Sequence, residues 1–177
     1  MNPKVLLVVD MLNDFIDPGG SLYCGPSADS IVPFVRDRIR EVLESGGFVV
    51  FICDSHDPDD IEFRRFPPHC VRGTNGAEII PALRAASEGS DRVFEVKKKR
   101  YSGFYGTDLG GILERIGARE VEVVGVCTNI CVLYTVEGLC NRDYSVRVLR
   151  GGVASFDDDA AKWALKQMET VLGAAVV

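Results

Sequence analysis

The sequence predicts an α/β fold: one three-layer α/β/α domain over residues 1–177, built on a mostly parallel sheet of five to six strands. Three observations predict it. Short, nearly continuous apolar runs such as Val5–Asp10 (VLLVVD), Phe48–Asp54 (FVVFICD) and Val121–Val126 (VEVVGV) lack the alternation of a half-exposed sheet. They read as strands buried on both faces. Segments with helical spacing separate them, and strands that alternate with helices must cross over into a parallel sheet. The third is size: 177 residues with 46% apolar and 26% charged content make an ordinary soluble chain long enough for a full core.

In chain order, Val5–Asp10 is a strand ending on a carboxylate, and Met11–Gly25 is a loop rich in Asp, Gly and Pro. A helix runs from about Asp29 to Ser45, closed by Gly46 and Gly47. Phe48–Asp54 is a second strand ending on Asp, and Ser55–Asn75 a long irregular segment holding both histidines. Irregular segments of that length in a compact domain are functional or disordered. Ala77–Ala86 reads as a short helix and Val93–Val96 as a short strand. The loop Lys97–Gly106 then leads to a helix over Thr107–Ile116. The strand Val121–Val126 passes through Thr128 and Asn129, both helix N-cap types, into a helix reaching about Arg142. Val146–Leu149 is a further strand, Asp157 to about Leu172 a helix with an acidic start, and the tail 174–177 offers one more short strand.

Composition excludes several classes of partner. The net charge of −6 argues against nucleic acid and anionic membranes, and the longest apolar runs are too short to span a bilayer. The N-terminal stretch MNPKVLLVVDMLNDF has no small-residue cleavage site and turns acidic at once, so no export signal is expected. Six scattered cysteines are then expected as reduced thiols in a cytoplasmic protein. Oligomers are common among such folds, and a homo-oligomer is the expected state.

The chemistry gathers at strand ends and the loops after them. Cys131 falls in the first turn of the helix after Val126, where unpaired N–H groups and the helix dipole favour thiolate, so it is the candidate nucleophile. Asp10 and Asp54 end adjacent strands; each alone could merely cap a turn, but both aim at the edge where ligands bind in such sheets. Asp10 is the candidate proton acceptor for Cys131. Asp54-Ser55-His56 points a carboxylate and an imidazole the same way, and Glu62 and His69 follow in one loop. That set suits zinc, or iron or manganese with retained water. With both histidines as ligands, a carboxylate must serve as base. Lys97 to Arg100 form a basic run of a kind usually solvated, yet one inward lysine would favour thiolate at Cys131 and carboxylate at Asp10. Phe15, Phe66, Tyr101, Phe104 and Tyr105 all lie in these loops and supply a flat apolar slot. Cys127 and Cys131 do not have redox spacing; Cys24, Cys53, Cys70 and Cys140 read as packing or incidental thiols.

These motifs together resemble the isochorismatase-like cysteine hydrolases, and within them the nicotinamidase/pyrazinamidase branch. The resemblance spans nearly the whole chain. It rests on DMLNDF (Asp10–Phe15), DSHD (Asp54–Asp57), FPPHCVRGTNGAE (Phe66–Glu78), KKRYSGFYGTDL (Lys98–Leu109) and GVCTNICV (Gly125–Val132). It implies a catalytic triad of Asp10, Lys98 and Cys131, with Lys98 the matching lysine of the run. It implies a divalent metal, zinc before iron or manganese, on Asp54, His56 and His69, with Glu62 as a further ligand. Phe15, Phe66 and Tyr101 would line a pyridine slot. A non-proline cis peptide before Cys127 would aim the Cys127 N–H into the site, making an oxyanion hole with the Cys131 N–H. Gly151-Gly152 departs from the family, in which many members carry an acidic residue there.

The function so implied is nicotinamidase: nicotinamide and water to nicotinate and ammonia through a thioester. Two alternatives stand beside it. One is another amidohydrolase of the family, acting on an N-carbamoyl, ureido or maleamate-type amide, which would require a group that binds carboxylate. The other is a non-catalytic binding module on a flavodoxin-like sheet, which leaves Lys98 and Cys131 without a role.

Overall fold

The structure, a computed structural model, describes residues 3–177. Met1 and Asn2, the start of the stretch read for an export signal, lie outside the described residues. Six strands form one all-parallel sheet: β1 (Val5–Val9), β2 (Phe48–Asp54), β3 (Val93–Lys98), β4 (Glu120–Val126), β5 (Ser145–Ala154) and β6 (Ala175–Val176). Their spatial order is β3-β2-β1-β4-β5-β6. The chain therefore builds outward from β1 in one direction and then in the other, and β1 and β4 flank the topological switch point.

The apolar strands split their side chains between two cores. Leu6 and Val8 of β1 face one side, with Ile31, Val35, Ile39 and Val42 of helix α2 (Pro26–Glu44). Val5, Leu7 and Val9 face the other, with residues of α4 (Leu109–Ile116), α5 (Leu133–Cys140) and α6 (Asp158–Thr170). This is the expected three-layer arrangement. Two short helices complete it, α1 (Asn13–Ile16) and α3 (Pro81–Ser87). No helix among the described residues is long and apolar enough to cross a membrane.

Several boundaries differ from the sequence expectation, each for a local reason. The Met11–Gly25 loop contains α1. Helix α2 starts at Pro26 rather than Asp29, because proline fits the first helical position and Gly25 before it takes φ +86°. The Ala77–Ala86 helix is replaced by a 3₁₀ turn at Asn75–Ala77 and α3, which begins on Pro81. Strand β3 runs on through Lys98, alternating Lys97 outward with Val96 and Lys98 inward. Strand β5 runs on to Ala154, so Gly151-Gly152 lies inside it. The Phe34 ring covers the glycine pair, 3.0 Å from where a Cβ on Gly152 would stand. Neither Thr128 nor Asn129 caps a helix. Cys127 takes the cap position, Thr128–Val132 forms one π-helical turn, and the Asn129 side-chain oxygen Oδ1 accepts a hydrogen bond from Ser155 Oγ at 2.6 Å.

Gly125 in β4 shows how tightly the switch point is built. Its φ is +119°, and a Cβ there would stand 2.0 Å from the Val9 carbonyl oxygen of β1. Only glycine fits at that approach. The register between β4 and β5 shifts at the same place, between Val123 and Gly125.

Candidate active site

Four strands deliver the reactive groups to one edge. Asp10 follows β1, Asp54 ends β2, Lys98 ends β3, and Cys127 and Cys131 follow β4. Asp10 holds φ +51°, and its Oδ1 accepts the Asp54 backbone N–H at 2.8 Å, which ties the ends of β1 and β2 together. The fully buried Lys98 ammonium lies 2.8 Å from Asp10 Oδ2 and 3.5 Å from Cys131 Sγ, and it also pairs with Asp54 Oδ1. Asp10, Asp54 and Cys131 each offer an atom within 4.8 Å of the others. The expected trio of Asp10, Lys98 and Cys131 thus meets, with Asp54 as a fourth member. The peptide between Val126 and Cys127 is cis.

The electrostatics follow from burying two carboxylates around one ammonium. Burial alone would drive Lys98 toward neutrality, but Asp10, Asp54 and Cys131 outweigh it and hold the ammonium well above its usual range. Burial and the charge of Asp54 push Asp10 up to about 6, against the pull of Lys98. Burial also opposes ionisation of Asp54, yet Lys98, with His56 and His69 close by, keeps it well below the usual carboxylate range. Cys131 departs from the sequence reading. Burial pushes its thiol well above the ordinary range, Lys98 opposes this, and the two carboxylates add to it. The resting sulfur is therefore a thiol, and a base must take its proton during reaction.

A second group adjoins the first. Ligand atoms of Asp54, His56 and His69 lie within 4.8 Å of one another, all buried. Asp54 divides its oxygens: Oδ1 goes to Lys98, while Oδ2 sits 3.5 Å from His56 Nε2 and 3.8 Å from His69 Nε2. The other ring nitrogens are engaged outward, His56 Nδ1 with Asp60 Oδ2 at 3.1 Å and His69 Nδ1 with the Pro67 carbonyl at 2.7 Å. His56 Nε2 is buried without a hydrogen-bond partner. Two imidazoles oriented from behind, with free Nε2 atoms beside a carboxylate, form a donor set that fits a divalent cation. Glu62 is not among these three. It is buried nearby, its Oε2 has no hydrogen-bond partner, and burial and the charge of Asp54 raise its pKa.

A pocket opens onto both groups. Phe15, Phe66 and Tyr101 line it as expected, with Asp10, Asp54, Glu62, His69, Cys127 and Cys131. The Phe15 and Phe66 rings lie 5.4 and 6.2 Å from the His69 ring. Leu22, Cys24, Ile130 and Phe156 also line it, and the sequence reading missed all four. Cys24, read as a packing or incidental thiol, is packed in the core with its sulfur 3.2 Å from that of Cys127. The only sequence signal for these residues was their position beyond the carboxyl ends of the strands. Phe104 packs instead under the Arg142 guanidinium, 4.2 Å from its ring centre, and Tyr105 is exposed.

Residues 4–177 match the isochorismatase domain family. The crystal structure of nicotinamidase/pyrazinamidase from Bacillus subtilis is 36% identical and superposes with a TM-score of 0.94, covering 99% of each chain. N-carbamoylsarcosine amidase from Thermoplasma acidophilum is also 36% identical, with a TM-score of 0.86 over 98% of this chain and 95% of that one. Pyrazinamidase of Pyrococcus horikoshii, solved in complex with zinc, is 34% identical, with a TM-score of 0.89 over 98% of both chains.

Proposed function

The chain belongs to the isochorismatase family, and within it we propose a metal-dependent amidohydrolase that converts nicotinamide to nicotinate and ammonia. The observation that carries the choice of substrate is the pocket wall. Among the described residues no Lys or Arg lines it, while Phe15, Phe66, Tyr101, Ile130 and Phe156 do. An N-carbamoyl, ureido or maleamate-type amide would bring a carboxylate that finds no cationic side chain in that wall. A flat uncharged ring suits the wall. Overall identity does not decide the matter, since relatives of both kinds are equally similar.

The chain's own groups account for the reaction. Asp10 takes the thiol proton of Cys131 as the sulfur attacks the carboxamide carbon. Lys98 beside both offsets the negative charge that passes between them. The backbone N–H groups of Cys127 and Cys131 hold the tetrahedral oxyanion, a contribution of about 3 kcal/mol per donor in comparable enzymes. Asp10 returns the proton to the departing nitrogen, and ammonia leaves a thioester on Cys131. Asp10 then takes a proton from water, which attacks that thioester, and nicotinate leaves as the thiol re-forms. A divalent cation on Asp54, His56 and His69, with Glu62 at hand, would supply an electrophilic anchor for the ring nitrogen. Zinc suits the histidine-rich set best, with iron or manganese as substitutes.

Ammonia release from nicotinamide, N-carbamoylsarcosine, ureidoacrylate and maleamate tests the proposal. Stranding a buried carboxylate costs about 3–5 kcal/mol, so nicotinamide should be favoured by at least about 100-fold in kcat/KM. Preference for an acid-bearing amide would overturn the substrate, and turnover of none would overturn the amidohydrolase.

A further inference from the structure

Two thiols that the reaction leaves unused stand side by side in the pocket wall. Cys24 Sγ and Cys127 Sγ are 3.2 Å apart although 103 residues separate them in the chain. Cys24 is 0% and Cys127 7% exposed, yet both line the substrate pocket. We propose that Cys24 and Cys127 form an oxidative modification site, at which hydrogen peroxide entering through the pocket closes an intramolecular disulfide.

A disulfide bond is about 2.05 Å long, so closure asks the sulfurs to approach by roughly 1.2 Å. Cys24 is the more movable partner. It lies in the connection between α1 and α2, one residue before Gly25 at φ +86°, whereas Cys127 is fixed at the end of a central strand. The Cys127 thiol is already held in its protonated form by its contact with Cys24, then by burial. The chemistry balances with peroxide as the two-electron oxidant. One sulfur gives an electron pair to a peroxide oxygen, becoming a sulfenic acid and releasing water. The second sulfur attacks the sulfenic sulfur, and the expelled hydroxide takes the second thiol's proton as water. Two thiols and one peroxide yield one disulfide and two waters.

The bond would reach the site along two paths. The Cys24 N–H donates to the Phe15 carbonyl at 2.8 Å, so moving Cys24 moves a wall residue. Cys127 itself supplies a backbone donor for the oxyanion. This loss of activity rests on the amidohydrolase reading; the cross-link does not.

The test begins with a Cys131→Ser protein, in which the nucleophile cannot compete for oxidant. After peroxide, alkylation and digestion without reductant, mass spectrometry should find one peptide pair joining Cys24 to Cys127, two hydrogens lighter than its parts. Dithiothreitol should reverse it, and Cys24→Ser should abolish it. The same pair should appear in the wild-type protein, where ammonia release falls about tenfold or more. Recovery of Cys24 and Cys127 as free thiols, or sulfinic acid on either without a cross-link, would overturn the site. A cross-link that leaves ammonia release unchanged would overturn its effect on catalysis alone.

Discussion

Lys98→Met is the most informative single change, because one ammonium neutralises two buried carboxylates. The side chains of Lys98, Asp10 and Asp54 are 0%, 1% and 4% exposed. Oxygens of Asp10 and Asp54 lie within 4.8 Å of each other. At an effective dielectric of about 20, two like charges at that separation repel by about 3.5 kcal/mol. Removing one partner of a buried ion pair costs about 3–5 kcal/mol by mutational experience, and the two figures agree. With a urea slope of about 2 kcal/mol per molar, the unfolding midpoint of chelator-treated protein should fall by about 2 M at pH 8. The loss should shrink at pH 5. Asp10 has a folded pKa of about 6, above its ordinary 3.8, so the folded state binds the extra proton and stability falls as pH rises through that window. Without Lys98 the window extends upward, which makes alkaline pH the more damaging. Circular dichroism through a urea titration at both pH values measures this. A midpoint within about 0.3 M of wild type at both would refute the view that Lys98 is the counter-charge.

Three further outcomes are expected. Cys131→Ala should release no ammonia while binding metal as the wild type does, measured by elemental analysis; residual turnover would displace Cys131 as nucleophile. Chelation should raise KM for nicotinamide, and His56→Ala should lower metal content in the same way, whereas an unchanged KM after verified metal removal would detach the cation from substrate binding. Gly125→Ala should destabilise by about 3 kcal/mol or more, because a methyl group collides with the Val9 carbonyl and φ +119° is strained for alanine; a thermal midpoint near that of the wild type would show that β1 and β4 can part.

Much of the sheet was legible because strands buried on both faces carry apolar residues without interruption. The runs ending at Asp10, Asp54 and Val126 needed no tertiary information. Strand β3 was cut short because Lys97–Lys98–Lys99 reads as a solvated charge run. The period-two alternation that buries Lys98 between two exposed lysines is too brief to register by composition. Strand β5 was cut short at Leu149 because Gly151-Gly152 breaks the apolar run, while in the fold Phe34 from α2 supplies the cover that the glycines lack. In the site, the two strand-end aspartates and the first-turn cysteine were visible from position alone. Lys98 was singled out from its neighbours only by family likeness. Leu22, Cys24, Ile130 and Phe156 converge from the segments that follow β1, β4 and β5, and such convergence leaves no periodic trace in one sequence. The thiolate expectation at Cys131 failed for an energetic reason: complete burial beside two carboxylates outweighs a helix terminus and one ammonium.

The division of labour between strands and loops has an evolutionary corollary. Asp10, Asp54, Lys98 and Cys131 hang on the ends of four neighbouring strands, whereas Leu22, Phe66, Tyr101 and Phe156 stand on segments free of the ladder. Selection can redraw those segments one at a time and exchange one amide for another, with bond cleavage untouched. Proteins with different preferred amides can then stay equally close to this chain, and the loops rather than the percentage of shared residues record what each has come to accept.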